Sequence, residues 1–378
     1  MLWRRAGDEA MKVLFLNLTA FSHTGGIEKF NRAFLKALSD IQKEGKLAAE
    51  AVSAYDNKSD TKYFPQEKYK GFNGKKLYFA FHVILRAHKY HTIILSHIHL
   101  SSIAWIVKIL FPSKQIILIA HGIEVWKKLS KAQRIILQKA DKILAVSAFT
   151  RQKLVEIHGI DAGKITVFHN TIDPYFIYPS SFDKPKYLSD RYKLEPIDAV
   201  VFTLTRLSAT ETNKGYDNII RAISQMKTTF PGLKYVLAGK YDESEKKRLE
   251  SFSETNKVTG SVILTGFVKE EEVTDHYLLA DAFILPSRKE GFGIVFIEAM
   301  ACGLVVIAGN KDGSVDALKN GELGCLVDPE SETEILQALQ KCLIDNDRDV
   351  SAKKELQRKV VEAFGFEMFK QNLRKVLA

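Results

Sequence analysis

Short apolar runs alternate with helical patterns along this chain, and the alternation occurs twice. The runs predict buried strands at residues 12–18, 92–98, 115–121, 142–147 and 165–170, and again at 200–205, 234–239, 261–267, 282–287 and 304–309. Helical spacing of apolar residues is found at 26–38, 216–230 and 294–301, and the tail from Glu332 onward is also predicted to be helical. Alternating strands and helices form parallel sheets with helices on both faces. The sequence therefore predicts an α/β protein with two doubly wound parallel sheets.

A polar segment with three prolines, residues 171–190, separates the two series and is predicted to be a linker. The length of 378 residues agrees with two domains, which we assign to 1–180 and 181–362. Sheets of this kind bind ligands beyond the carboxyl ends of their strands. We therefore expect the ligand in a cleft between the two domains.

The net charge of +10 is unevenly distributed. Residues 1–180 contain 27 Lys and Arg against 14 Asp and Glu, whereas residues 181–378 contain 28 against 31. A basic first half suits an anionic partner, such as an anionic membrane surface or a lipid-phosphate substrate. A lysine-rich solvated surface would have the same composition. We expect no nucleic acid as a partner, because the sequence has no nucleic-acid-binding motif.

Cysteine usage and hydropathy indicate the compartment. The three cysteines, Cys302, Cys325 and Cys342, form no disulfide framework and are typical of thiols in a reducing compartment. Residues 1–10 lack the apolar core of a signal peptide. The longest uncharged stretch, 90–107, contains three histidines and is predicted to divide into a strand and a helix. We therefore expect a cytoplasmic protein, with peripheral attachment at the inner face of the membrane if the basic half binds lipid.

Two groups follow strands of the first domain. Gly25 and Gly26 precede a helix whose first N–H groups can bind an anion or a polar ligand, although paired glycines also occur in ordinary turns. His121 ends its strand and can bind a sugar hydroxyl or a phosphate oxygen, and a hydrogen-bonded core histidine is the alternative. His97 and His99 are expected to contact an acceptor rather than to form a zinc site with His121, because no fourth ligand is suggested.

Two cations follow the first strand of the second domain. Arg206 and Lys214 flank a loop that leads into a helix, and two positive charges beside a helix N-terminus suit a diphosphate. Solvated surface cations are the alternative.

The segment SRKEGFGIVFIEAMACG, residues 287–303, contains two glutamates separated by glycines and apolar residues. Gly291 and Gly293 leave backbone N–H groups free to face a phosphate. Glu298 needs a hydrogen-bonding partner if it is buried, which a ribose diol can supply, and Glu290 can reach the hydroxyls of a sugar. Two exposed glutamates at the start of an amphipathic helix are the alternative for this pair taken alone.

Taken together, these segments resemble glycosyltransferase family 4, the retaining enzymes with the GT-B architecture of two Rossmann-like domains. The matching runs follow the order of the family along nearly the whole chain. They are GGIEKF, SHIH, AHGIE, HNTIDP, TRL with NKGYDNII, VLAGK, VILTGFV, LPSRKEGFGIVFIEAMACGLVVIAG and GELGCLVDP. The segment with the paired glutamates is the most specific of them.

The resemblance implies a nucleotide-sugar site in the second domain, an acceptor site in the first, and a last helix, about 363–378, that packs back onto the first domain. It implies that Arg206 and Lys214 neutralise the leaving diphosphate and that Glu290 and His121 act near the reacting carbon. The donor-binding residues that it implies, besides Arg206 and Lys214, are Gly25, Gly26, Gly239, Val268, Glu290, Gly291, Phe292, Gly293, Ile294, Val295 and Glu298.

Two positions depart from the family pattern. Thr205 stands where a glycine usually precedes the phosphate-binding arginine. The run KDGSVD, with Asp312, Gly313 and Asp316, stands where a Gly-Gly-x-x-Glu loop is frequent. Both departures concern the donor pocket, so they leave the donor less certain than the reaction.

The implied reaction transfers a hexose, with retention, from a nucleotide diphosphate sugar to a glycan or lipid-linked acceptor in cell-surface polysaccharide or glycolipid synthesis. We favour a UDP-sugar over GDP-mannose. Front-face attack with the leaving phosphate as base is expected, because the first domain suggests no carboxylate nucleophile. No metal or other cofactor is expected, since the only Asp-x-Asp tracts, at 345–349, lie in the helical tail.

Other nucleotide-binding classes fit less well. A dehydrogenase is excluded by the lack of a GxGxxG turn followed by an acidic residue, and GIDAGK at 159–164 is one residue short of a P-loop. A GT-B sugar-nucleotide epimerase and a catalytically silent nucleotide-binding protein remain the alternatives.

Overall fold

Two parallel sheets organise the chain, each in its own unit. The structure is a computed structural model that describes residues 10–45, 47–208, 211–345 and 349–378. Unit 1 extends to Tyr175 and also includes Phe364–Ala378, and unit 2 is Phe176–Ala363. The middle of the predicted Asp-x-Asp tracts, 346–348, lies outside the described residues.

The strands of unit 1 are β1 (Met11–Asn17), β2 (Leu47–Ser53), β3 (Tyr69–Gly71), β4 (Thr92–Leu95), β5 (Gln115–Ala120), β6 (Lys142–Ala145) and β7 (Ile165–Val167). They form a parallel sheet in the order β3-β2-β1-β4-β5-β6-β7. The chain builds outward from β1 to β3 and then resumes on the other side of β1 with β4. Loops diverge where the strand order reverses, so the carboxyl ends of β1 and β4 are where a ligand is expected.

The strands of unit 2 are β8 (Val200–Leu204), β9 (Lys234–Ala238), β10 (Val262–Gly266), β11 (Ala282–Leu285), β12 (Val305–Gly309) and β13 (Cys325–Val327). They form a parallel sheet in the order β10-β9-β8-β11-β12-β13. The strand order reverses between β8 and β11, which pair directly. The corresponding ligand position in this unit is therefore the pair of loops that follow β8 and β11.

The helices between the strands of unit 1 are α1 (Gly26–Lys43), α2 (Lys76–Arg86), α3 (Ser101–Leu110), α4 (Lys131–Lys139) and α5 (Ala148–His158). Those of unit 2 are α6 (Lys186–Tyr192), α7 (Tyr216–Met226), α8 (Glu243–Thr255), α9 (Val273–Leu279), α10 (Ile294–Ala301), α11 (Ser314–Ala317), α12 (Glu332–Ile344) and α13 (Val350–Phe364). The last helix, α14 (Phe366–Leu377), belongs to unit 1. Among the described helices, none is long and apolar enough to cross a membrane.

Both faces of the unit 1 sheet are buried, which explains why its strands are continuous apolar runs. Leu14 and Leu16 of β1 pack with helices α2 to α5 in one core. On the other face Phe15 stacks on Phe34 of α1, with ring centroids 4.9 Å apart. Phe369 of α14 meets the same aromatic group, so α14 closes this face of the sheet.

Polar contacts also hold α14 to unit 1. Lys142 Nζ donates to the carbonyl of Val376 at 2.9 Å. Just before α14, Thr171 Oγ1 and the Ile172 N–H donate to the carbonyl of Phe364 at 2.8 and 3.0 Å. The core of unit 1 is therefore built from two segments that lie far apart in the chain.

Local signals set several helix ends. Ser147 is the N-cap of α5, with its side chain accepting from the Thr150 N–H at 3.1 Å, as predicted, and Gly159 ends the helix with φ of 62°. Helix α10 has its predicted bounds. Helix α1 runs to Lys43 rather than 38, because Ile41 continues its buried face.

The fold-class prediction of two doubly wound parallel sheets is confirmed, but several element predictions were wrong. Most strands end one to three residues before their predicted ends. Strand β2 was missed, because its sequence LAAEAVS is rich in helix-favouring Ala and Glu and becomes a strand only through pairing with β1 and β3. The predicted linker at 171–190 contains the start of α6.

Substitution of Gly239 tests whether unit 2 depends on the close approach between Gly239 and Thr205. Gly239 has φ of 146°, and a Cβ there would overlap the carbonyl oxygen of Thr205. We expect Gly239→Ala to lower the free energy of unfolding by roughly 2–4 kcal/mol, measured by urea denaturation. The control is Gly260→Ala, because a Cβ at Gly260 meets no atom within 4 Å. Equal effects of the two substitutions would show that the close approach is not needed.

Candidate functional site

The loops after β8 and β11 are bound to each other through backbone contacts. The Arg288 N–H donates to the carbonyl of Asn213 at 2.9 Å, and Ser287 Oγ donates to the same oxygen at 3.3 Å. Gly215 has φ of 79°, and a Cβ there would press on the carbonyl of Pro286. This close approach sets Lys214, the residue before Gly215, beside the loop that carries Glu290.

Lys214 and Glu290 form an ion pair between these two loops. The Lys214 side chain is only 10 % exposed and that of Glu290 19 %. Burial opposes the charge on Lys214, but the attraction and hydrogen bond of Glu290 outweigh it and raise the lysine pKa. Lys214 is therefore protonated and partly desolvated, and it lies where the strand order of the unit 2 sheet reverses.

Arg206 has a different environment from Lys214, although the sequence suggested a matched pair. Its side chain is 75 % exposed, and Nη2 contacts Oε1 of Glu211 at 2.7 Å. An exposed arginine with one carboxylate partner can reorient towards a phosphate at little desolvation cost.

A second loop fixes the backbone of Glu290. The Glu290 N–H donates to Asp312 Oδ2 at 2.6 Å, and the Gly313 N–H donates to the carbonyl of Glu290 at 2.8 Å. A Cβ on Gly313 would overlap the carbonyl of Gly291, so the glycine permits the approach. The run KDGSVD, which departs from the family pattern, thus holds the loop of one candidate catalytic residue.

Asp312 itself is fully buried. Its Oδ1 accepts from the Ser314 N–H at 2.9 Å. Burial raises the pKa of Asp312 to about 7, more than its hydrogen bonds lower it. The carboxyl that positions Glu290 therefore titrates near neutral pH.

Helix α10 follows the Glu290 loop, and Gly293 at its N-cap has φ of 86°. Phe292 and Ile294 are buried, whereas Val295 is partly exposed. Glu298 is 1 % exposed and accepts a hydrogen bond from the Tyr277 hydroxyl at 3.1 Å. The sequence predicted a carboxylate on the flank of the helix that needed a ligand hydroxyl. In the structure Glu298 has a protein partner, so its ribose role stays a prediction.

Two other predicted donor residues lie at the ends of β9 and β10. The Gly239 N–H donates to the carbonyl of Gly266 at 2.9 Å, and Gly239 lies against Thr205. Val268 is buried. These contacts give Gly239 a role in the fold of unit 2, and the contact of either residue with a nucleotide stays a prediction.

In unit 1 a cavity of about 300 Å³ opens at the reversal between β1 and β4. Its lining includes Thr19, His23 and Glu28 from the β1 side and Ser96 and His97 from the β4 side. Ser96 is buried, and its Oγ has no hydrogen-bond partner among the described residues. A buried hydroxyl left without a partner is costly, so the cavity is suited to a ligand that carries hydroxyl groups.

The loop with Gly25 and Gly26 forms one wall of this region. Gly25 is the N-cap of α1, and the Glu28 carboxylate lies where a Cβ on Gly25 would be. A Cβ on Gly26 would meet no atom within 4 Å. The contact at Gly25 is with the end of a flexible side chain that can move, so packing within the protein requires a glycine at neither position.

The three predicted histidines lie near one another, and His97 lines the cavity. The ring centroids of His97 and His99 are 4.4 Å apart, and those of His97 and His121 6.4 Å. Burial lowers the pKa of His97 to about 3 and that of His121 to about 4, so both are neutral at physiological pH. Within the described residues, no three His, Cys, Asp or Glu side chains form a group that could hold a metal ion.

Hydrogen bonds assign the tautomers of two of these rings. His121 Nε2 lies 2.8 Å from the carbonyl of Ser96, so Nε2 carries the proton and Nδ1 is the acceptor. His97 Nδ1 accepts from the His99 N–H at 3.1 Å. His121 is buried and packs edge-on against Phe30. The structure thus matches the alternative of a hydrogen-bonded core histidine, while contact of His121 with a substrate stays a prediction.

Asp56, which the sequence analysis missed, fixes the loop that leads into α1. Its carboxylate accepts from the N–H groups of Ala20, Phe21 and Ser22 at 2.7, 3.2 and 2.8 Å. It also accepts from the hydroxyls of Thr19, Ser22, Ser53 and Tyr69. Burial alone would raise the pKa of Asp56, but these hydrogen bonds lower it to about 2.

The structure brings the predicted residues into two groups, one in each unit. Lys214 and Glu290 are in contact in unit 2, and His97 lines the cavity of unit 1 near His121. Asp56 and Glu28 were missed. Asp56 lies three residues beyond a strand that the sequence did not reveal, and Glu28 was visible only as the third residue of the helix after Gly25.

Comparison with known proteins agrees with this geometry. The family described as Glycosyltransferase Family 4 matches residues 24–176, and that described as Glycosyl transferases group 1 matches residues 193–360. The first match lies almost entirely in unit 1 and includes β2 to β7, and the second lies in unit 2 and includes β8 to β13. The chain belongs to the GT-B glycosyltransferases of family 4.

The sequence identity of this chain to individual relatives is low. A GDP-mannose-dependent alpha-(1-6)-phosphatidylinositol monomannoside mannosyltransferase of Mycobacterium tuberculosis is 30 % identical over 244 residues, which is 61 % of this chain and 61 % of the relative. Mannosylfructose-phosphate synthase of Agrobacterium fabrum is 29 % identical over 216 residues, 56 % of this chain and 46 % of the relative. The match thus spans less than two thirds of either relative.

A solved structure extends the likeness of fold. Anabaena HepE, determined in complex with UDP, has a TM-score of 0.78 with this chain at 20 % sequence identity, and the match covers 97 % of this chain and 99 % of HepE. At that identity the comparison supports the fold alone.

Removal of the Asp56 charge tests the loop at the cavity. In Asp56→Asn an amide NH₂ would face backbone N–H donors, so we expect the free energy of unfolding to fall by roughly 3 kcal/mol. Urea denaturation near neutral pH measures it. The control is exposed Asp161→Asn, which can still accept from the Gly163 N–H and should change stability by less than about 0.5 kcal/mol. An equally small effect at Asp56 would contradict the role of its charge.

The raised pKa of Asp312 predicts that the free energy of unfolding decreases as pH rises. Its pKa is raised from 3.8 to about 7, so between these values the folded state binds more protons than the unfolded state, and stability falls as pH rises. The difference in unfolding free energy between wild type and Asp312→Asn should therefore decrease as pH rises from 4 through 7, and become constant about one pH unit above the folded-state pKa. Urea denaturation at several pH values measures this difference. A difference independent of pH would show that Asp312 is ionised throughout.

Proposed function

We propose that this protein is a hexosyltransferase that moves a sugar from a nucleotide diphosphate to a hydroxyl acceptor. The observation that carries the proposal is the partly buried Lys214–Glu290 ion pair, where the strand order of unit 2 reverses. A sugar diphosphate has an anionic diphosphate at one end and a sugar with hydroxyl donors at the other. A cation beside a carboxylate suits these two ends. Family membership supports the same reaction class.

Donor binding would redistribute the partners of Lys214. The leaving diphosphate would take the ammonium group and the exposed guanidinium of Arg206, and Glu290 would be released to accept from hydroxyls of the donor sugar. Negative charge grows on the phosphate as the glycosidic bond breaks, so cations already in position stabilise the transition state more than the ground state. The raised pKa of Lys214 keeps it charged for this purpose.

The cavity in unit 1 is the proposed acceptor site. Ser96 Oγ is a buried hydroxyl without a partner among the described residues, and Thr19 adds a second hydroxyl to the lining. The acceptor would be a glycan or a lipid-linked sugar, recognised by its own hydroxyls. His97 stays neutral and lines the same cavity, which suits hydrogen bonding to a neutral acceptor.

The donor and the stereochemistry belong to the proposal as well. We favour a UDP-hexose, and GDP-mannose is the second candidate because the mycobacterial relative is named as GDP-mannose-dependent. We propose retention through front-face attack, with the leaving phosphate accepting the acceptor proton, and activity without a metal ion. Synthesis of a cell-surface polysaccharide or glycolipid is the proposed setting.

Nucleotide release from a panel of nucleotide sugars tests the proposal. Each donor, including UDP-glucose and GDP-mannose, is incubated with chelator and with or without a lipid or glycan extract. We expect one donor to release its nucleoside diphosphate, faster with extract. Glu290→Ala should lower this rate by about 100-fold or more. Glu250→Ala, an exposed glutamate on α8, is the matched control and should retain the rate.

Other outcomes would favour the rival functions. Saturable donor binding with isomerised sugar and no glycoside would indicate the epimerase. Binding without turnover would indicate the silent nucleotide-binding protein. Release that requires a divalent metal would remove metal independence while leaving the reaction class intact, and a product of opposite anomeric configuration would remove retention.

A further inference from the structure

Helices α2 and α3 are neighbours on one face of the unit 1 sheet, and each presents a large apolar face to solvent. On α2 the exposed residues are Leu77, Phe81 and Leu85, spaced four apart and therefore on one side of the helix. On α3 they are Trp105, Ile106 and Ile109. We call these six side chains the α2–α3 surface. The opposite sides of both helices are buried in the core, so the exposed side chains are not needed for folding.

The segment of the chain that contains both helices has no acidic residue. From residue 68 to residue 123 there is no Asp or Glu, while there are eight Lys and Arg. Lys75, Lys76 and Lys89 are exposed at the ends of α2. Helix α4, which packs beside α3, also lacks acidic residues and exposes Lys131 and Arg134. Arg86 of α2 and Lys108 of α3 are paired with Glu50 and Asp141, so the positive charge at the border of the apolar surface comes from the exposed lysines beside α2 and from α4.

Scattered apolar side chains are normal on a protein surface, but a cluster on adjacent helices marks an interaction site. Its charge border suggests the partner. A second copy of this basic unit would bring like charges together at the border. An anionic lipid surface offers negative headgroups to the cations and an apolar interior to the apolar side chains. Trp105 and the neighbouring exposed Tyr78 suit the interface between headgroups and acyl chains, because each has an apolar ring and a polar group.

We propose that the α2–α3 surface docks this protein on an anionic lipid bilayer, with its apolar side chains inserted at the headgroup boundary and its lysines on the phosphates. The net charge suggested an anionic partner, and the structure specifies which surface meets it. Helix α3 begins four residues after His97, which lines the cavity. If the proposed function holds, docking would bring that cavity close to an acceptor carried by a lipid.

Vesicle co-sedimentation tests the docking without donor or acceptor, so its result is independent of the proposed reaction. Wild-type protein is mixed with vesicles of equal parts phosphatidylglycerol and phosphatidylcholine, or of phosphatidylcholine alone. We expect binding to the anionic vesicles that weakens as salt increases. Phe81→Ser with Ile109→Ser should weaken binding by about tenfold or more. Lys75→Glu with Lys76→Glu should weaken it to a similar extent at low salt.

Matched substitutions in unit 2 serve as controls. Ile197→Ser removes an isolated exposed apolar side chain, and Lys247→Glu reverses an exposed charge on α8. Both should bind vesicles as wild type does. Thermal unfolding midpoints of all variants should be unchanged, since none of the side chains is in the core. A variant with a lowered midpoint is replaced by Leu77→Ser, which removes another side chain of the same surface.

Three results would overturn the proposal. The first is no vesicle binding, or binding that is equal on neutral and anionic vesicles. The second is equal binding by the surface variants and the controls. The third is a dimer in light scattering that becomes a monomer in Phe81→Ser with Ile109→Ser, because the surface would then be covered by a second copy of the chain.

Discussion

The ion pair of Lys214 and Glu290 is the interaction on which the candidate chemistry of unit 2 depends. It joins the two loops that follow adjacent strands β8 and β11, and it holds a cation in a partly desolvated position. A lysine in such a place keeps its charge because a carboxylate is in contact with it.

Both units position their loops with a buried aspartate near the end of a neighbouring strand. Asp56 follows β2 and accepts hydrogen bonds from N–H groups of the loop after β1. Asp312 follows β12 and accepts a hydrogen bond from the Glu290 N–H in the loop after β11. The two carboxyls differ in protonation. Burial opposes the charge of Asp56, but hydrogen bonds from Ser22, Tyr69, Ala20 and Ser53 lower its pKa to about 2, whereas burial raises the pKa of Asp312 to about 7. One loop is therefore held by a permanent charge and the other by a group that titrates near neutral pH.

Much of the fold was readable from the sequence, since buried parallel strands are continuous apolar runs and helices between them keep helical spacing. Helix α10 and the N-cap at Ser147 are examples in which local signals suffice. Strand β2 is the opposite case, because Ala and Glu favour helices and only its two partner strands make it extended. The candidate residues at strand ends were found where the motifs are local, as with Glu290 and Lys214, but Asp56 depended on the missed strand.

The sequence by itself determined the class of fold, the family and the list of polar groups near strand ends, because these depend on periodicity and on contiguous motifs. Only the tertiary structure decided their states. It paired Lys214 with Glu290, left Arg206 exposed, buried Glu298 against Tyr277 and collected the apolar faces of α2 and α3 into one surface. Burial and ion pairing arise between segments far apart in the chain, so no local pattern contains them.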